Sequence, residues 1–125
     1  MKGHVPMYDP DSPRFIGNRD GLHGPVSVTL NGQLLDPRLD LWNHSPDGFE
    51  WGYGGSGPAQ LALAMLAAVC GDSQVAVRHH QEFKKDVVSH FSSAQWVYPV
   101  DAVREWLLAH RAIASLGDEL IPPED

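Results

Sequence analysis

From Pro58 to Cys70 the chain reads PAQLALAMLAAVC, a stretch in which Gln60 alone carries a polar amide. Ala, Leu and Met are strong helix formers, and the helix they make has no polar face. Such a helix belongs inside a protein or inside a membrane. Its rise of about 1.5 Å per residue leaves it far short of the roughly 20 residues that a bilayer span requires. The run therefore predicts a central, buried helix. Both ends are marked: Ser56 or Gly57 stands where an N-cap is needed, Pro58 is tolerated in a first turn, and Gly71 can take the left-handed position that ends a helix.

The segments around this helix supply a small sheet and further helices. Phe15 and Ile16 suggest a short strand, and Asn18 to Pro25 reads as a loop. Val26, Val28 and Leu30 alternate with Ser27 and Thr29, the period of a strand with one buried face. Asn31-Gly32 then tolerates positive φ at two successive residues, a hairpin signal, with Leu34 and Leu35 on the returning strand. Ser73 is expected to cap a second helix running to about Phe91, with Ala76, Phe83, Val87 and Phe91 on its apolar face. Trp96-Val97-Tyr98 alternates like a strand, and Pro99 places it at a sheet edge. Asp101 is expected to cap a third helix whose stripe is Val103, Trp106, Leu107, His110 and Ile113, ended by Gly117. The predicted class is α+β: a small antiparallel sheet packed on about three helices, the central one buried.

A chain of 125 residues holds one core, expected over residues 13–116, between an N-terminal arm (1–12) and an acidic tail (117–125). The net charge of −7, from 16 acidic against nine basic side chains, argues against generic nucleic-acid binding. Four of the acids fall in the last nine residues, so more than half of the excess belongs to the tail. Met1 to Pro6 lacks the apolar core of a signal peptide, and no run is long enough to cross a membrane. Cys70 is the only cysteine and sits late in an apolar run, which points to an inert thiol in a reducing, cytoplasmic setting.

The sharpest local feature is Gly52-Tyr53-Gly54-Gly55-Ser56-Gly57-Pro58, leading straight into the buried helix. Glycines let backbone N–H groups approach an oxyanion, and a helix start adds unpaired donors and about half a positive charge. A dinucleotide fold needs more: Asp72 has the right distance for its ribose acid but lies between two helices. A P-loop fails for want of the lysine. Ser56 lacks the final glycine of a nucleophile elbow and has no base tied to it by spacing, which favours capping. Glu50 between Phe49 and Trp51 is a carboxylate among aromatics, either desolvated with a raised pKa or facing water and paired. Gln60 either holds the glycine loop in shape or faces a ligand.

The stretch from Asn43 to Ala62, which contains GFEWGYGGSGPAQLALA, resembles the signature of a small bacterial, archaeal and phage family of unknown function. The likeness extends more weakly to Phe83-Lys84, Val88, Trp96 and the Trp106-Leu107 helix, and so covers most of residues 14–110. It implies a shared fold, a prokaryotic or phage setting and a functional focus between Glu50 and Gln60. It implies no catalytic residue.

On the second helix His79, Glu82, Asp86 and His90 fall on one stripe, but three turns separate its ends and no single ion reaches them all. No metal and no cofactor is assigned, and His80 is expected at the boundary of the apolar face. The leading functional expectation is a binding module for a small anion or nucleotide. Its ligand-facing residues are Glu50, Trp51, Tyr53, Gly54, Gly55, Ser56, Gly57 and Gln60, with Trp51 and Tyr53 as walls. One alternative is an acidic protein-interaction or inhibitory factor of a mobile element, with a basic protein partner. Another is a small enzyme using Glu50, disfavoured because no complete catalytic set is visible.

Overall fold

The apolar run forms helix α1, Ser56–Cys70, buried from Gly57 through Ala67. The computed structural model describes residues 12–113. The expected arm, apart from Ser12, and Gly117 with the acidic tail lie outside the described residues. The N-cap of α1 is Gly55, with extended backbone, and no side chain caps this end. Ser56 is thus the first helical residue, and neither it nor Gly57 is the cap. Gly71 closes the other end at φ 66°, its N–H bonded to the Ala67 carbonyl.

Four antiparallel strands lie beside the helices: β1 (Arg14–Arg19), β2 (Val26–Leu30), β3 (Gln33–Leu34) and β4 (Gln95–Pro99), in the order β3-β2-β1-β4. The turn joining β2 to β3 has Asn31 at φ 53° and Gly32 at φ 82°, the hairpin geometry that this dipeptide favours. Only Leu34 of the two leucines joins β3, pointing to solvent, while Leu35 is buried just beyond it. β4 takes the free edge of β1, so Pro99 ends an edge strand as expected.

Strand alternation divides the sheet into two faces. Cross-strand neighbours Leu30, Phe15 and Tyr98, and then Val28, Gly17 and Trp96, face the helices. Trp96 packs against Gly17, where a Cβ would come 2.1 Å from an indole ring atom. Its Nε1 is the one buried side-chain polar atom among the described residues with no hydrogen-bond partner. The solvent face carries the row Leu34, Thr29, Ile16 and Val97, of which Leu34, Ile16 and Val97 are exposed.

The second helix, α2, spans Ser73–Asp86, and the third, α3, spans Val100–Ala109. α1 packs most extensively on α2 and also meets α3. Asp72 caps α2, its carboxylate accepting from the N–H groups of Gln74 and Val75, so Ser73 is already helical. Two adjacent cap-forming residues compete here, and the extended backbone at Asp72 decides between them. α2 also ends earlier than the pattern suggests: Val87 leaves helical geometry and a 3₁₀ turn, Val88–His90, follows. Val87 and Phe91 still pack on the core from there. α3 starts at Val100 after Pro99, with Asp101 in its first turn, and buries Val103 and Leu107.

The architecture is α+β, a four-stranded antiparallel sheet with three helices, as the sequence predicts. No helix of the described residues is long and apolar enough to cross a membrane.

Candidate functional site

Glu50 is held by Arg19 through a two-pronged ion pair, Nη2 to Oε1 at 2.5 Å and Nη1 to Oε2 at 3.1 Å. Arg19 also lies 4.9 Å from the centre of the Trp51 ring, a cation–π contact. The guanidinium holds the Glu50 carboxyl below its ordinary range, outweighing the opposing effect of burial. The desolvated, proton-accepting Glu50 that its aromatic neighbours suggest is therefore not what forms; this carboxylate is ionised and paired. Trp51 is a core residue, its ring edge-on to Trp96 and its Nε1–H donating to the Ser93 carbonyl at 2.9 Å.

The glycines of the loop have different reasons to be there. Gly52 sits at φ 89° and donates its N–H to the Val88 carbonyl, tying the loop to the 3₁₀ turn. Gly57 is buried, and a Cβ on it would come 2.6 Å from Glu50 Cβ, so α1 and the Glu50 segment touch only because this side chain is missing. Tyr53 is half exposed and lays its ring against Gly55, while Ser56 is exposed. Gly54 meets nothing in this way: no atom lies within 4 Å of where its Cβ would stand.

Gln60 is fully buried and saturated. Its Oε1 accepts from the N–H groups of His44 (2.7 Å) and Ser45 (3.1 Å), and its Nε2 donates to the carbonyls of Pro37 (2.6 Å) and Trp42 (3.0 Å). An amide side chain has two donors and two acceptor positions, and here all four go to backbone. Gln60 thus shapes a loop, but the loop is 37–45 and not the glycine stretch, and no hydrogen-bonding position is left for a ligand.

That clamp places His44 against His80, two residues that the sequence pattern does not connect. His80 is buried, not at the boundary of its helix face. Its Nδ1 lies 2.6 Å from the Val77 carbonyl and must carry the hydrogen, leaving Nε2 as an acceptor. The Nε2–H of His44 then donates to it across 2.9 Å. Trp42 stacks on His44 at 4.8 Å with 49% of its surface exposed, covering the pair. Burial lowers the pKa of both imidazoles, and the charge of Lys84 pushes in the same direction. At neutral pH the pair is uncharged. Cys70 is half-buried, with its thiol donating to the Asp72 carbonyl and its pKa raised by burial, which fits an unreactive sulfur.

The glycine loop just before α1 borders a groove of about 570 Å³ lined by Gly54, Gln81, Glu82, Lys84, Lys85 and Ser89. Lys84 and Lys85 come from the last turn of α2. Of the residues singled out in the sequence, Gly54 therefore lines this opening, with Tyr53, Gly55 and Ser56 beside it in the chain. Glu50, Trp51, Gly57 and Gln60 are committed to the fold by the contacts described. The two lysines were missed because on α2 they read as the solvated side of an amphipathic helix, and no spacing relates them to a loop some thirty residues earlier.

No curated protein and no solved structure matches the chain. Residues 15–109 match a family whose description is "Family of unknown function (DUF6166)", nearly the stretch over which the resemblance was read. The chain belongs to that family.

Proposed function

We propose that the protein is a binding module for a small anion of the phosphate class, received between the start of α1 and the Lys84–Lys85 pair. The observation that supports this reading is the groove that Gly54, Lys84 and Lys85 line together. The first-turn N–H groups of a helix have no partner within it, and at this end of α1 there is no side-chain cap and no acidic residue in the first turn. The helix contributes about half a positive charge there, and each ammonium a full one. Glu82 also lines the groove, but its carboxylate reaches toward His110 at 3.8 Å.

The reading is narrower than a nucleotide site. Trp51 is in the core and Gln60 is saturated, so Tyr53 is the one aromatic of the loop free to meet a base, and its ring already leans on Gly55. What the arrangement favours is the charged end of a ligand. Because Gly54 has open space around it, Gly54→Val fills the groove mouth without disturbing the fold; Gly55→Val would strike Tyr53 and is a poor control.

The test is a thermal-shift titration with inorganic pyrophosphate and with orthophosphate. A ligand at a hundred times its Kd stabilises by about 2.7 kcal/mol, which raises the melting temperature by several degrees in a domain of this size. The expected result is a saturable rise that Gly54→Val and the Lys84→Gln/Lys85→Gln pair abolish. No rise at millimolar anion, or a rise that survives both changes, overturns the proposal.

A further inference from the structure

We infer that Glu82, Asp86 and His110 form a binding site for a first-row divalent transition-metal ion of the zinc class, bridging α2 to the end of α3. The sequence shows Glu82 and Asp86 one turn apart on α2, the spacing that presents two ligands on one helix face. The third ligand comes from elsewhere in the chain. His110, the C-cap residue of α3, puts its Nε2 3.4 Å from Asp86 Oδ2 and 3.8 Å from Glu82 Oε2. One ligand atom from each of the three residues lies within 4.8 Å of the other two. Ligands about 2.0–2.2 Å from a tetrahedral zinc stand roughly 3.3–3.6 Å apart, so small side-chain movements close the set.

Three features beyond proximity favour a metal. The Nδ1 of His110 lies 2.8 Å from the Trp106 carbonyl and must donate to it, so in the neutral ring the lone pair is on Nε2, aimed at the two carboxylates. A metal-bound imidazole is usually held by such a hydrogen bond from its other nitrogen. The Trp106 indole N–H donates to Asp86 Oδ2 at 3.0 Å, orienting that carboxylate, and the Trp106 ring stacks on His110 with centroids 3.9 Å apart. With His110 neutral, three electron-pair donors converge with no positive charge between them, an arrangement that a cation relieves. The imidazole nitrogen selects against magnesium and calcium, which prefer oxygen, and the partly exposed setting leaves room for water to complete the coordination.

A protonated His110 paired with the two carboxylates is the competing arrangement of the same cluster, and the experiment separates the two. The 125-residue chain, stripped with chelator, is titrated with Zn²⁺ by calorimetry and with Co²⁺ by visible absorption. The titrations run at about pH 8, where imidazole side chains are ordinarily neutral. The expected result is one equivalent bound, with affinity at least tenfold lower in His110→Gln and in Glu82→Gln and unchanged in His79→Gln and His90→Gln. All four side chains lie outside the buried core, and circular dichroism checks that each variant folds. Absence of saturable binding overturns the site, as does binding that His110→Gln leaves intact or that His79→Gln removes.

Discussion

Replacing Gln60 with leucine keeps nearly the same volume inside α1 and removes four hydrogen bonds at once. The groups left behind are the N–H of His44 and Ser45 and the carbonyls of Pro37 and Trp42. Each bond contributes about 1 kcal/mol net, and a buried group that stays unpaired costs about 1–3 kcal/mol. The 37–45 loop is at the surface, so part of it can swing outward and find water; the loss therefore falls at about 3 kcal/mol, below the full sum. Against a total stability of about 5–15 kcal/mol this is a large share. Urea unfolding followed by tryptophan fluorescence and circular dichroism measures it. Trp42 adds a local reading, because its stack on His44 depends on the same loop. A Gln60→Glu variant sharpens the test. Its carboxylate can still accept from His44 and Ser45 but opposes the Pro37 and Trp42 carbonyls, so the folded-state pKa is raised. Its deficit relative to wild type is then smallest below about pH 4.3 and grows as pH rises through the folded pKa. A loss under about 1 kcal/mol for Gln60→Leu, or a Gln60→Glu deficit independent of pH, refutes the clamp.

Gly57→Ala forces a Cβ into Glu50 and should cost about 1–3 kcal/mol by overpacking, whereas Gly54→Ala, with open space around it, should change stability by less than about 0.5 kcal/mol; equal effects in chemical denaturation would contradict the division of the loop. Glu50→Gln removes a partly exposed ion pair and should cost about 1 kcal/mol or less. Because Arg19 lowers the Glu50 pKa, that contribution is present above about pH 4.3 and lost as pH falls below it, so wild type and variant should converge in acid. The lowered pKa values of His44 and His80 act at higher pH: their stabilisation is complete above about pH 6.5 and declines as pH falls toward the folded-state values, by up to about 1.4 kcal/mol per pH unit for each. His80→Leu should flatten the stability profile between pH 6.5 and 5, and an unchanged slope there would count against the neutral pair.

The elements were legible wherever a local pattern carried them. α1 follows from composition alone, the β2–β3 turn from Asn31-Gly32, and the edge strand from Pro99. The caps fall earlier than the sequence suggests: α2 is capped by Asp72 and not Ser73, both good caps that only backbone geometry separates, and α3 follows Pro99, with Asp101 inside its first turn and not capping it. The site was less legible, because its interactions join residues distant in sequence. Gln60 stood out as polar in an apolar helix, yet its partners lie in an aperiodic loop upstream. Glu50 announced its aromatic neighbours and not Arg19, 31 positions earlier on β1. Glu82 and Asp86 are visible in the sequence as a helix stripe, while His110 falls there only in the apolar stripe of α3.

The most direct test of the division between scaffold and groove is a map of backbone amide shifts in ¹⁵N-labelled protein titrated with pyrophosphate. The predicted result is saturable movement at Gly54, Gly55, Ser56, Gly57 and the Lys84–Lys85 turn, with the resonances of Gln60 and the Trp51 indole unmoved. Shifts centred on Trp51 and Gln60, or none at the start of α1, would contradict it.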